Sequence, residues 1–368
     1  MLKKITLTNF RNYSSETIEF GKGIHFIIGS NGEGKTNLLE SIYFLALSKS
    51  YKSSDQILIK HHEDMARVEG NILSHSRLYD LKMIISNEGK RASINKIEQK
   101  RLSDYIGTLK IISFLPEDMN LIKGSPKERR YFFDIYLGQM DKNYITELSN
   151  YKYLLKQRNE LLKTLATSSH PDYLLLDVIT EQLAEAMKPV VERRKEFVQQ
   201  VNQFLEKEYL HFSSKQEKFE IVYKPSIEGD IDSFLKSKYR SDVFSKATTY
   251  GAHRDDYEFR LNNHLAVDYA SNGEQRTLIL TLDMAMYEMM NQGFKESPLI
   301  LLDDVFSELD DEKQNKLIAY INKIDAQAII TTTTIQDIHP TYLSNAKIYR
   351  VKNGHIKEET KSGEQCKV

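Results

Sequence analysis

The chain has 368 residues, with 51 lysines and arginines against 52 aspartates and glutamates, for a formal net charge of −1. That length suffices for two domains and a large core, and the charge balance excludes a globally basic nucleic-acid binder while leaving room for a local basic face. A single cysteine, Cys366, excludes an intramolecular disulfide and fits a reducing cytoplasm, and no apolar run reaches the ~18 residues of a membrane span.

Met1-Leu2-Lys3-Lys4-Ile5 leads directly into strand-like alternation without the apolar core of a signal peptide, so a cytoplasmic protein is expected. Residues 2–28 predict two strands, the second being the apolar run Ile24-His25-Phe26-Ile27-Ile28. Gly29-Ser30-Asn31-Gly32-Glu33-Gly34-Lys35-Thr36 follows, a full G-x-x-x-x-G-K-T loop. Leu38, Leu39, Ile42, Leu45 and Ala46 then recur at helical spacing. Strand, glycine loop and helix is the context in which successive N–H groups and a helix N-terminus cradle phosphate. Lys35 would reach the β- and γ-phosphates of ATP, and the Thr36 hydroxyl would hold Mg²⁺.

Segments near 66–73, 78–85 and 91–97 are short and β-like, with a turn at Asn87-Glu88-Gly89, which predicts a small antiparallel region. From about 115 to 210 the period becomes helical. One run holds Leu148, Tyr151, Leu155, Leu162 and Leu165, another Leu183, Met187, Val190, Phe197, Val201 and Phe204. Thr167-Ser168-Ser169-His170-Pro171 separates them, predicting an antiparallel helical hairpin whose second arm Pro189 would kink. Period two returns at 219–223 and 257–261, and again at Leu265, Val267 and Tyr269. A helix over 274–291, a buried strand over 298–302, a helix over 311–323 and a strand over 327–331 complete the pattern. Asn353-Gly354 predicts a hairpin turn, and the charged residues 358–368 a disordered tail.

Pro298-Leu299-Ile300-Leu301-Leu302-Asp303-Asp304 is a strand apolar on both faces that ends in two carboxylates, where α/β sheets place ligands. Asp303 would hold Mg²⁺ and Asp304 would orient or deprotonate the attacking water; the bland reading is a solvated turn. Ser271-Asn272-Gly273-Glu274-Gln275-Arg276 opens a helix and, alone, is compatible with an ordinary N-cap. Ser307-Glu308-Leu309-Asp310 follows the acid pair. The order phosphate loop, S-x-G-x-Q, paired acids, S-x-L-D resembles the ATP-binding-cassette ATPases. In that class Ser271, Gly273 and Gln275 of one subunit would cap the γ-phosphate held by another, making ATP the glue of a two-fold dimer.

Within that class the chain resembles the RecF family over nearly its whole length. The resemblance rests on Asn9-Phe10-Arg11-Asn12-Tyr13, on Leu115-Pro116-Glu117-Asp118-Met119 through Lys123-Gly124-Ser125-Pro126, and on Arg129-Arg130-Tyr131-Phe132-Phe133-Asp134. It continues in Leu155-Lys156-Gln157-Arg158-Asn159, in Tyr250-Gly251-Ala252-His253-Arg254-Asp255-Asp256, and from Leu301 to Asp310. Ala252, Phe133 and Glu274 stand where the family usually has proline, leucine and glutamine; Glu274 adds negative charge near the expected γ-phosphate.

The resemblance implies an α/β fold: an ABC-type P-loop ATPase head with an antiparallel β region and an inserted α-helical lid domain. The expected boundaries are residues 1–114 and 246–357 for the head, 115–245 for the lid and 358–368 for the tail. It also implies an ATP-driven homodimer that acts on DNA at single-strand gaps, with RecR, RecO and indirectly RecA as partners and no membrane. Arg11 would contact nucleotide or serve structurally. His253, Arg254 and Asp255 suit a hydrogen-bonded junction between the inserted and ATPase domains better than a hydrolase triad. Thr331 to Thr334 fall where transporter ATPases carry a switch histidine, and four threonines also fit strand propensity alone. Lys123, Lys127, Arg129, Arg130 and Arg193-Arg194-Lys195 are candidate DNA contacts or solvated faces. The threonines and the short helical arms count against the two rival classes, a transporter subunit and an SMC-like tether.

Overall fold

The computed structural model describes residues 1–52, 54–168, 173–213, 215–294, 297–307, 309–335, 340–343 and 346–359. Cys366, Glu308, Ser169 to Pro171 and most of the expected tail lie outside them. Two compact units emerge: 1–119 with 207–215 and 272–368, and 120–206 with 216–271.

The first unit begins with β1 (Leu2–Phe10), β2 (Tyr13–Glu19) and β3 (Ile24–Ile28), followed by α1 (Lys35–Leu47). Then come β4 (Met65–Ser74), β5 (Arg77–Ser86), β6 (Gly89–Ile94) and β7 (Ile97–Glu98), and finally β8 (Ile111–Phe114). The antiparallel sheet runs β2-β1-β4-β5-β6-β7. Its strands alternate buried and partly exposed residues, the signature of a sheet packed on one face. Helix α1 packs against both this sheet and the parallel one, so it is buried nearly all round, from Leu38 to Leu47. A Cβ at Gly70 of β4 would stand 2.4 Å from the Leu45 methyl, so glycine lets the sheet approach this helix.

The second unit holds α2 (Pro126–Met140), α3 (Lys142–Leu165) and α4 (Tyr173–Phe212), although the end of α4, from Lys207, counts with the first unit. Ser125 and Glu128 form a capping box, with Pro126 at the first helical position. Helices α3 and α4 run antiparallel: Arg158 meets Thr180, while Tyr144 and Asp141 meet Arg194 and Arg193. Pro189 lies inside α4. Strands β9 (Phe219–Lys224), β10 (Asp256–Leu261) and β11 (His264–Leu265) form a three-stranded antiparallel sheet. Phe133 stacks on Tyr257 at 4.1 Å and meets Phe197 and Phe259, so a ring in place of leucine fills an aromatic core.

The alternation at 265–269 does not continue as a strand. Residues Ala266–Tyr269 form a helical turn after a two-residue strand, with Leu265, Val267 and Tyr269 exposed and Ala266 buried. The unit also extends to Ser271, beyond the 245 drawn from sequence, because β10 pairs with β9 along its length.

The chain returns to the first unit through α5 (Asn272–Phe294), β12 (Leu299–Asp303), α6 (Asp311–Lys323), β13 (Ala328–Thr332), β14 (Lys347–Lys352) and β15 (His355–Glu358). The second sheet runs β15-β14-β3-β13-β12-β8, parallel except for the β15 edge. Strands β3, β12, β13 and β8 are buried at every position, which explains their largely apolar sequences.

Candidate nucleotide site

The loop from Gly29 to Lys35 leaves the buried end of β3 and enters α1. Gly32 and Gly34 take φ of +87° and +117°, the region where a side chain is strained. Gly34 also lacks room: a Cβ there would stand 2.5 Å from the Asn12 amide and 3.0 Å from the Tyr13 hydroxyl. The loop is buttressed from outside. Asn12 Nδ2 donates to the Glu33 carbonyl at 3.0 Å, Tyr13 Oη donates to the Gly34 carbonyl at 2.8 Å, and Asn37 donates to Asn12. The Asn353-Gly354 turn closes on the same segment, Asn353 N donating to the Glu33 carboxylate and Gly354 N to its carbonyl. Lys35 is buried and donates to the Gly29 and Ser30 carbonyls at 2.7 and 3.0 Å. Burial holds its ammonium below the usual range, opposed by Asp304, Asp303 and Glu33.

The acid pair meets this loop. Thr36 Oγ1 donates to Asp303 Oδ1 at 2.9 Å across 267 positions of sequence. Thr331, at the end of the neighbouring strand β13, also donates to Asp303 Oδ1, at 2.8 Å, and its oxygen accepts the Asp304 N–H at 2.9 Å. One threonine of the four therefore joins the Asp303 carboxylate to the backbone of Asp304. Asp303 is buried, whereas Asp304 takes a left-handed φ of +50° that carries it off the strand. Ser307 Oγ lies 3.1 Å from Asp304 Oδ2. On the other side of Asp303, Tyr51 Oη donates to Oδ2 at 3.1 Å and Lys52 Nζ lies 3.7 Å from the same oxygen. Sequence reasoning missed Tyr51 and Lys52, which lie in an irregular segment after α1 and carry no motif. The Thr36 hydroxyl and Asp303 carboxylate are hard oxygen donors of the kind Mg²⁺ takes.

Arg11 forks onto Glu40 of α1, Nε at 2.8 Å and Nη2 at 2.7 Å, and Glu40 is fully buried. Ser271, Asn272 and Gly273 lie exposed at the start of α5, while Gln275 is buried one turn on. No atom lies within 4 Å of a Cβ built at Gly273. Glu274, the departure from the family pattern, forms an ion pair with Lys215.

His253 and Asp255 take part in a hydrogen-bonded knot that lies within the second unit rather than at a junction of the expected domains, while Arg254 is exposed. His253 Nδ1 accepts from Tyr151 Oη at 2.7 Å and its Nε2 faces the Thr248 carbonyl at 3.0 Å; burial lowers its pKa to about 4. The buried Asp255 meets Arg194 at 2.9 Å, and Arg194 also reaches Asp134 and the Ala252 carbonyl. The basic clusters are largely spent in the same way. Arg129 forks onto Asp256, Arg130 donates to the Asp255 carbonyl, and Arg193 pairs with Asp141. Lys123, Lys127 and Lys195 are exposed.

The family described as RecF/RecN/SMC N terminal domain matches residues 1–357. The DNA replication and repair protein RecF of Geobacillus sp. (strain WCH70) is 40% identical over 368 positions, covering 96% of this chain and 98% of its own. The protein of the same name from Staphylococcus aureus (strain Newman) is 37% identical over 367 positions, covering 96% and 99%. A solved structure of the recombination mediator protein RecF-ATPrS in the RecFOR pathway has a TM-score of 0.89 at 28% identity, covering 98% of both chains. The Smc head bound to the C-winged helix domain of ScpA shares the fold alone, with a TM-score of 0.56 at 19% identity over 97% of each chain. The architecture is thus an ABC-type ATPase head with an antiparallel sheet and a helical insert, and the chain belongs to the RecF family of DNA replication and repair proteins.

Proposed function

We propose that this protein is a DNA-dependent ATPase of single-strand-gap repair, in which ATP joins two copies of the chain into a clamp on gapped DNA. The observation that carries this reading is the Thr36–Asp303–Thr331–Asp304 chain of hydrogen bonds, which brings the glycine loop and the acid pair into one site. The backbone of Gly29, Ser30, Asn31, Gly32, Glu33 and Gly34 cradles phosphate, and Lys35 turns from its loop carbonyls to the β- and γ-phosphates. Thr36 and Asp303 hold Mg²⁺, which when bound neutralises phosphate charge. Asp304 stands off the strand to orient and deprotonate water. Arg11 is oriented by its fork onto the buried carboxylate of Glu40 on α1, beside the loop.

Ser271 and Gly273, at the exposed start of α5, with the buried Gln275 one turn on, serve the site of a second copy, where an N-terminal helix dipole and N–H donors favour the γ-phosphate. The relatives' place in DNA replication and repair, and in a RecFOR pathway, supports DNA as the cargo and RecR and RecO as partners; RecA as an indirect partner and a cytoplasmic setting rest on the sequence resemblance and composition. The test is nucleotide binding and turnover with gapped DNA. Lys35→Met should abolish binding of a fluorescent ATP. Asp304→Asn should bind ATP but turn it over on the order of a hundredfold more slowly. Wild-type turnover by Asp304→Asn would remove the base assignment.

A further inference from the structure

Asp303 is held from two sides by different parts of the chain. Its Oδ1 takes the hydroxyls of Thr36 and Thr331, which belong to the loop and to β13. Its Oδ2 faces a strap formed by residues 50–52. The strap is anchored at Ser50, whose hydroxyl donates to Glu40 and accepts the Lys52 N–H at 2.9 Å. Tyr51 packs edge-on against Tyr43 of α1 at 5.0 Å, so its hydroxyl reaches Asp303 from a fixed ring. Lys52 ends the strap with an ammonium that is one-third exposed and 3.7 Å from Oδ2. The carboxylate therefore already has three donors and a neighbouring positive charge.

We propose that Tyr51 and Lys52 form a latch on Asp303 that a divalent cation must displace, so that metal entry at the nucleotide site loosens the strap over 50–52. Both are positioning residues, acting through Asp303, and the proposal rests on the nucleotide-site reading given above. Two effects make metal and latch compete. The Lys52 ammonium and a divalent cation are like charges drawn to one carboxylate. The Tyr51 hydroxyl draws off charge that the carboxylate would otherwise direct to the metal side. Linkage makes the effect reciprocal: whatever removes Lys52 tightens the metal by the same factor that the metal weakens the latch. Lys52 is partly exposed and screened, so the factor is modest.

The probe is Mn²⁺, followed by electron paramagnetic resonance with the full chain and saturating ADP. Lys52→Ala should tighten Mn²⁺ about two- to fivefold, and Lys52→Arg should restore the wild-type value within about twofold. Tyr51→Phe keeps the ring on Tyr43 and should tighten Mn²⁺ in the same direction. In wild-type protein, Mn²⁺ with ADP should speed trypsin cleavage after Lys52 relative to ADP with chelator. Unchanged or weaker Mn²⁺ binding by Lys52→Ala, with ADP still bound, would overturn the latch alone. A wild-type chain that binds no nucleotide would overturn the nucleotide-site reading and the latch with it.

Discussion

Thr331 is the residue on which the acid pair turns. A hydroxyl has one proton and two lone pairs, so it can donate to Asp303 while accepting from the Asp304 N–H, and valine, of nearly the same shape, can do neither. Losing a hydrogen bond to a charged group costs about 1.5–3 kcal/mol. Thr331→Val should therefore slow single-turnover hydrolysis about ten- to a hundredfold while changing metal-free nucleotide affinity less than about threefold. A turnover rate within twofold of wild type would show that Thr331 only fills the strand end. His25, on the strand leading to the loop, makes a second prediction. It is fully buried between Phe20 and Tyr349, and burial lowers its pKa to about 4, against the Gly21 carbonyl that favours the charged form. The folded imidazole stays neutral where the unfolded one takes a proton, below about pH 6.5. Its contribution to stability is whole above that pH and is lost as pH falls toward about 4, at ~1.4 kcal/mol per pH unit. Urea denaturation at pH 7 and pH 5 should show a gap about 2 kcal/mol smaller for His25→Leu than for wild type. An equal gap would mean the imidazole charges without cost in place.

At the scale of elements, the start of α5 carries the departure that most affects assembly. Glu274 places a carboxylate one position past Gly273, yet its ion pair with Lys215 answers that charge within the same unit. Lys215→Ala should weaken ATP-dependent dimerisation about two- to fivefold in sedimentation experiments, and adding Glu274→Gln should restore it. If Lys215→Ala dimerises as well as wild type, the carboxylate does not face phosphate. Much of this level was legible in the sequence because burial on both faces leaves mainly apolar runs without alternation, as in 24–28 and 299–302, and one-sided burial leaves alternation, as in 66–73. The alternation at 265–269 misled because a single helical turn with one small buried residue, Ala266, also leaves its neighbours outward. The meeting of glycine loop and acid pair was legible because each half carries its own motif. Tyr51 and Lys52 were not, since the Tyr51 contact with Asp303 spans 252 positions, with Lys52 beside it, and follows no local periodicity. The arginine clusters misled for a related reason: a run of positive charge looks alike whether it faces solvent or the carboxylates of Asp134, Asp255 and Asp256.

At the scale of the whole molecule, Arg129, Arg130, Arg193 and Arg194 are paired within the second unit, so the candidate basic clusters offer DNA mainly Lys123, Lys127 and Lys195. Arg194 in particular holds two carboxylates in the buried knot of the second unit, so Arg194→Ala should unfold that unit, by about 3–5 kcal/mol, before it reports on DNA. The proposed clamp of two copies would add the phosphate contacts of both. Each neutralised phosphate adds about 0.9 to the slope of log affinity against log salt on duplex DNA. If ATP joins two copies around one DNA, that slope should roughly double when ATP and Mg²⁺ are present, beyond any gain in affinity at one salt concentration. The measurement is fluorescence anisotropy of labelled gapped DNA with Asp304→Asn protein, which should hold ATP without spending it, at four or five salt concentrations. Tighter binding with an unchanged slope would mean that ATP reshapes one copy rather than recruiting a second. A doubled slope that Ser271→Arg abolishes, with ATP still bound to the monomer, would tie the salt dependence to the helix start of α5, where the proposed dimer would set an arginine against the partner's nucleotide.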